Sequence, residues 1–289
     1  MINYQYKIKS FCKINLSLRV LKKNSDGYHS IQSYVVFSEP CDYIYISKYN
    51  GYKDKITFKG KFKKSINSET NTITKTLKIL RSTNILKKIF FKILVKKNIP
   101  QGAGLGGGSS DAAALINFIS QKINKKINKK IIYNLASKIG SDVPLLLNYK
   151  NSIVNNRKSK ILRLKHKFKF YVLIVYPQIV CSTRKVYLKN KQFSLPKSYF
   201  LQSLRSKKNI IKYLKSEHND LENIVTSMYP KIKKMIDLIS DQRGCYFSRL
   251  TGSGSACIGL FSSFNNANQA KNIVKRNFPN VWCKVSKTI

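Results

Sequence analysis

The stretch PQGAGLGGGSSDAAAL, Pro100 to Leu115, puts five glycines into the seven positions from 102 to 108, then two serines, an aspartate and an alanine-rich apolar run. The preceding FFKILVKKNIP (Phe90 to Pro100) reads as a buried strand, and the apolar run predicts a helix over about Ser109 to Ile119. A strand that ends in bare backbone and opens a helix makes an anion site. Several N–H groups converge on one point, and the helix dipole adds about half a positive charge. Any Cβ would hold phosphate oxygens off those amides, and glycine alone moves freely into positive φ. Ser109 and Ser110 would supply an N-cap and hydroxyls that reach phosphate or its magnesium ion. The bland alternative is a flexible turn with a capping serine, but turns seldom use this density of glycine.

Several known phosphate loops can be tested against the spacing. Gly102, Gly104 and Gly107 satisfy G-x-G-x-x-G, yet no acidic residue lies between Asp111 and Asp142 to take a ribose about 20 residues on, which argues against a dinucleotide. The Gly-Lys-Ser/Thr of a Walker A loop is missing, and the chain has neither DFG nor HRD of the protein kinases. What remains, P-x-G-x-G-L-G-G-G-S-S-D-A-A, resembles the ATP loop of the GHMP kinases, the superfamily of galactokinase, homoserine kinase and mevalonate kinase. Three further blocks are similar to that superfamily and fall in its order: CKINLSLRVLKKNSDGYHSIQS near the N-terminus, GSDVP at Gly140 to Pro144, and LTGSGSACIGLF ending at Phe261. Together the blocks span Lys13 to Phe261. K-I-N-L followed by D-G-Y-H is most similar to a branch whose acceptor carries a cytidine diphosphate group.

The resemblance implies roles for individual residues. Pro100, Gln101, Gly102, Ala103, Gly104, Leu105, Gly106, Gly107 and Gly108, with Ser109 and Ser110, would hold ATP as its Mg2+ complex, and Gly252, Ser253 and Gly254 would tighten the floor under the phosphates. No separate protein metal site is expected. Asp142 takes the position of the catalytic aspartate that accepts the proton of the acceptor hydroxyl, a contribution worth roughly 10²- to 10⁴-fold. An aspartate that merely caps the turn is the competing reading. Lys13 matches the paired lysine, a cation that could orient the hydroxyl or meet the γ-phosphate. Asn15, two residues on and therefore on the same face of a strand, can hydrogen-bond the same substrate end. Tyr28 and His29 match the base-recognition pair, the ring stacking and the imidazole reading the base edge. Tyr187 stands where a second aromatic face is expected, with Ser182 and Thr183 as hydroxyl contacts, although PQIVCSTRKVY departs from the usual proline-rich pattern. Asp111 would favour the positive N-terminus of its helix. His218, Asp220 and Glu222 in HNDLEN read as structural.

These residues need a scaffold. The N-terminal third alternates apolar and polar residues in YKIKSF, INLSLRV, SYVVFS and DYIYIS, predicting antiparallel strands interrupted by the turn SDGYH. Helices are predicted from Thr70 and over Lys129 to Ile139. After a polar tract, Asn148 to Lys160, come a strand at Phe168 to Pro177 and a helix in two pieces broken at Pro230. Strand, tight turn and strand then follow over Cys245 to Phe261, with a last helix and strand from Asn265. Strands and helices mix without β-α alternation, so the fold class is α+β. The resemblance implies an N-terminal mixed-sheet nucleotide domain, 1–158, and a C-terminal ferredoxin-like α/β sandwich, 159–289, with the acceptor in the cleft between the domains.

Composition bounds the alternatives. No apolar run reaches the ~18 residues of a membrane span, and the first twenty residues have no secretory h-region, so a soluble cytoplasmic protein, monomer or homodimer, is expected. Six scattered cysteines without a CxxC pair fit free thiols. A net charge of +43 invites a nucleic-acid reading. The excess is nearly all lysine and comes with excess Ile, Asn, Tyr and Phe, as AT-rich codons would give, so no specific nucleic acid is expected. Homoserine or mevalonate kinases and a basic nucleic-acid-binding protein stand as the rival readings.

Overall fold

Residue alternation sets the first layer. In a computed structural model of the chain, which describes all residues except 1–3, 65, 68, 125, 156–159, 166–167, 198–203 and 205, β1 (Tyr6–Asn15) alternates half-buried and exposed side chains to Lys9 and is largely buried from Ser10 on. The long β3 (His29–Tyr49) follows the short β2 (Arg19–Lys23).

The chain divides into two compact units, each discontinuous in sequence. The first comprises residues 1–13, 40–101 and 106–149. Here the second half of β3 pairs antiparallel with β5 (Phe90–Lys96), from Tyr43 opposite Lys96 to Tyr49 opposite Phe90, and β4 (Lys55–Lys59) joins β5 in parallel. Helix α1 (Thr72–Ser82) starts where the Asn71 side chain accepts from the Thr74 amide, and its buried stripe is Ile73, Leu77 and Leu80. Helix α2 (Gly107–Phe118) is buried along nearly all of Ser110 to Phe118, which its alanines permit because they let backbone approach backbone. Phe91, Ile93, Ile44 and Ile46 from the strands meet Leu77, Leu80, Leu115 and Phe118 from the helices in one apolar cluster. Helix α3 (Lys129–Ile139) and the single turn α4 (Val143–Leu146) complete the unit.

The second unit comprises residues 14–39, 102–105 and 150–289. Its first strands are β2 and the first half of β3, with β6 (Ser152–Asn155) opposite Gln32 to Val35 and β7 (Lys160–Arg163) opposite β6. The remainder forms a four-stranded sheet of β8 (Tyr171–Tyr176), β9 (Cys245–Leu250), β10 (Cys257–Phe261) and β11 (Trp282–Lys287), in the order β11-β8-β10-β9, all neighbours antiparallel. Helices α8 (Pro230–Ser240) and α9 (Phe264–Asn277) send Ile232, Met235, Ile239, Ala270 and Val274 into a core with Leu173 and Val175 of β8. This is the ferredoxin-like order, with α5 (Thr183–Lys189), α6 (Lys207–Lys215) and α7 (Glu222–Met228) inserted before α8. The class is α+β, as the strand and helix patterns predict.

Three features differ from the sequence reading. Packing does not follow a single boundary at 158/159, because β6 pairs with Gln32–Val35 and Gly102–Leu105 packs with the second unit. The polar tract Asn148–Lys160 holds strand β6, while its residues 156–159 lie outside the described ones. Helix α2 begins at Gly107 rather than Ser109, so Asp111 sits beyond the first turn and is buried. Among the described residues no helix is long and apolar enough to cross a membrane.

Phe91 has no exposed surface and is one of the large side chains of the first core. Phe91→Ala is expected to cost about 3–5 kcal/mol of stability, read by urea denaturation.

Candidate active site

The glycine loop is shaped by close approach. Gly104 (φ +77°) lies so near the Thr251 carbonyl oxygen that any Cβ would overlap it, and Gly106 (φ +69°) would carry a Cβ 2.8 Å from Lys13 Cγ. Both positions require a residue that tolerates positive φ and has no side chain. The Ala103 carbonyl accepts from the Ala256 amide at 3.1 Å, which fastens this segment to the Gly252–Ser253–Gly254 turn. Asn219 of the HND segment steadies the same turn, its Nδ2 donating to the carbonyls of Leu250 and Gly252 at 2.9 and 2.8 Å. Asp220 accepts from the Val20 amide and Glu222 from that of Leu250, in keeping with a structural role for HNDLEN.

Gly106 is the N-cap of α2, and no side chain caps the helix. The first-turn N–H groups of Gly107, Gly108 and Ser109 therefore have no intrahelical acceptor, which is the donor set an anion requires. The serines do not share the role expected of them. Ser110 is fully buried and its hydroxyl donates to the Phe11 carbonyl at 2.7 Å, because a helix that starts two residues early turns it into the interior. Ser109 stays half-buried in the first turn.

Lys13, at the buried end of β1, and Asp142, at the head of α4, meet with Nζ and Oδ2 3.6 Å apart. The lysine side chain is 8% exposed and the aspartate 39%. Asp142 makes no side-chain capping bond to α4, so the turn-capping reading does not describe it. Asn15 is more enclosed than expected: its amide donates to Ser33 Oγ at 2.7 Å, and its backbone N–H to Thr251 Oγ1 at 2.8 Å.

The residues matched to base recognition fall within the second unit. Tyr28, 55% exposed, ends a tight turn in which the Asn24 amide donates to the Tyr28 carbonyl. The His29 ring lies 4.9 Å from that of Tyr187 on α5 at 36°, and 6.3 Å from that of Phe193 at 27°. Burial, then the charge of Lys23, lowers the His29 pKa. Thr183 Oγ1 and Ser253 Oγ are 2.8 Å apart, linking the start of α5 to the glycine turn.

Residues 71–147 match the GHMP kinases N terminal domain and residues 200–280 the GHMP kinases C terminal domain. A Pelagibacter ubique protein named 4-diphosphocytidyl-2-C-methyl-D-erythritol kinase is 39% identical over 284 residues, spanning 98% of this chain and 99% of that one. The chain belongs to the GHMP kinases. A protein of the same name from Wolbachia pipientis wMel is 33% identical over 95% of this chain and 97% of its own. A crystal structure of 4-(cytidine 5'-diphospho)-2C-methyl-D-erythritol kinase shares the fold with TM-score 0.77 at 21% identity, covering 97% of this chain and 99% of the other. The protein is thus an ATP-dependent kinase.

One element of this GHMP kinase escaped the sequence reading. Lys97, just past β5, is almost fully buried and donates to Asp42 of β3 and, at 2.6 Å, to Asp111 of α2. Asp42 Oδ1 also accepts the amides of Asn98 and Ile99 at 2.6 and 2.8 Å, which fixes the approach to Pro100. Two carboxylates share one ammonium. Burial, then the Asp111 charge, pushes the Asp42 pKa up to about 7, while the two aspartates outweigh burial and raise that of Lys97. In so lysine-rich a chain nothing marks Lys97, but an acid that directly opens an apolar run, as Asp42 does before YIYI and Asp111 before AAALI, is a signal. Among the described residues no group of three or more His, Cys, Asp or Glu could hold a metal ion.

A carboxylate whose pKa is raised on folding stabilises the protein at low pH, and that contribution is lost as pH rises through the folded value. Between about pH 4 and 7 the parent should therefore lose stability steadily as pH rises relative to Asp42→Asn, which keeps the side-chain shape and leaves Lys97 its Asp111 partner. Parallel pH-melting curves of the two proteins measure the difference.

Proposed function

We propose that this kinase transfers the γ-phosphate of ATP to the 2-hydroxyl of 4-diphosphocytidyl-2-C-methyl-D-erythritol, the compound named in its relatives, as a step of the non-mevalonate isoprenoid route in the cytoplasm. The observation that carries the choice of acceptor is the ring cluster at the DGYH turn. An exposed tyrosine beside a histidine with a lowered pKa and a second tyrosine suits a heteroaromatic base, and neither homoserine nor mevalonate has one.

On this reading the triphosphate lies on the uncapped amides of α2 and the glycine backbone, with magnesium arriving bound to it and Ser109 as the loop hydroxyl nearest the helix start. The acceptor oxygen forms a bond to the γ-phosphorus as the bond to the ADP oxygen breaks, and Asp142 accepts the hydroxyl proton. Lys13, with an almost buried ammonium 3.6 Å from that carboxylate, aligns the hydroxyl and offsets negative charge on the group in transfer. A charge held in a nearly dry position is effective because water screens it little.

Asp142→Asn should lower kcat at least about 100-fold while ATP affinity stays within about threefold. Near-parental turnover would show that another group takes the proton. A coupled assay of ADP release should show turnover with the cytidylated acceptor and none with homoserine; the reverse result would replace this acceptor with a sibling one.

A further inference from the structure

We propose that Phe193 is a positioning residue of the base site, set by the strap from Asn190 to Lys197 so that its ring holds the plane of the His29 imidazole against which a pyrimidine docks. The inference rests on the acceptor reading above.

The strap has no regular secondary structure, yet it is fastened along its length. Asn190 Nδ2 donates to the Gln192 carbonyl at 2.6 Å as the chain leaves α5. Ser194 is held twice, its amide donating to the Val20 carbonyl at 2.9 Å and its hydroxyl to Asp220 Oδ1 at 2.9 Å. Lys197 exchanges a reciprocal pair of bonds with the buried side chain of Gln32, at 2.9 and 2.8 Å, and its ammonium donates to Glu217 at 2.8 Å. A loop tip free to move would not need fasteners on both sides of one phenylalanine.

Phe193 nonetheless does not serve the core. Tyr187 packs against the apolar core of its unit, whereas Phe193 is 45% exposed and meets the His29 ring nearly in parallel. An offset-stacked ring 6.3 Å away, on top of the nearer Tyr187 ring at 4.9 Å, limits the tilt open to the imidazole. Tilt matters here because His29, with its pKa lowered by burial, presents a neutral ring near pH 7, one nitrogen donating and the other accepting. The two nitrogens point in diverging directions, so one of them can meet a single donor or acceptor on a base edge, and that one hydrogen bond is directional. A loosely held imidazole would lose it.

The test is steady-state kinetics of the full chain with ATP and the cytidylated acceptor. Phe193→Ala should raise the acceptor KM about five- to tenfold, the lower part of the range for lost base stacking, with kcat and the ATP KM within twofold. Phe193→Tyr should restore the acceptor KM, and Phe193→Leu, which keeps bulk without a flat face and guards against a misfolded alanine variant, should behave like Phe193→Ala. An acceptor KM within twofold of the parent in both Phe193→Ala and Phe193→Leu, or an equal rise for ATP and acceptor, overturns the inference while leaving the acceptor reading intact. A parent enzyme that ignores the cytidylated acceptor overturns both.

Discussion

The exclusion of side-chain atoms at Gly104 and Gly106 is the constraint on which the site depends. One glycine lies against the Thr251 carbonyl and the other against the stem of Lys13, and between them stands Leu105, fully buried. The loop cannot be shifted to admit even a methyl group at either glycine without displacing backbone or the lysine it rests on. The same bareness leaves the first amides of α2 uncovered. One local property therefore serves both ends: it seats the loop and leaves its donors available.

Acidic residues are scarce, and the fold uses them inside. Asp42 and Asp111 neutralise Lys97 at the approach to the loop, Asp54 takes a bidentate pair from Arg81, and Glu217 takes Arg19 and Lys197. A fully buried tie such as that of Lys97 contributes little net stability against an apolar substitute, yet removing one partner strands a charge at a cost of about 3–5 kcal/mol, whereas the Arg19, Arg81 and Lys197 pairs, partly open to water, contribute less. Their value lies in fixing geometry. Asp42 joins β3 to the chain that enters the loop and, through Lys97, to α2, so three elements around the glycine loop share one electrostatic tie.

What could be read from the chain followed from how local the signal was. The glycine loop, GSDVP and DGYH are contiguous, and their chemistry is written in neighbouring residues; the structure places Lys13 on Asp142 and His29 on Tyr187 although 129 and 158 residues separate them in sequence. Tertiary ties were not legible. Ser110 lost its expected role because the helix begins at Gly107, a two-residue difference that rotates the hydroxyl inward. Asn15 was expected at the substrate, and its amide is engaged by Ser33, a partner visible only once β3 is laid beside it. Lys97 was one lysine among many, and Phe193 sits in a polar stretch with no periodicity to mark it. Helix α6, KKNIIKYLK, hides its buried Ile210 and Leu214 among lysines.

Because Asp42, Asp111 and Glu217 are interior and Asp54, Asp142, Asp220 and Glu222 half-buried, only Asp26, Glu39, Glu69, Asp237 and Asp241 remain at the exposed surface to balance a +43 charge. The molecule behaves, in effect, as an ion-exchange bead: inorganic phosphate, free nucleotides and RNA fragments will accumulate in its ionic atmosphere and compete for the same cations. Multivalent anions should lower its solubility by neutralising and bridging the charges that keep copies apart, and encounters with ATP should be fast in dilute buffer and slow once added salt shortens the Debye length toward a few ångströms.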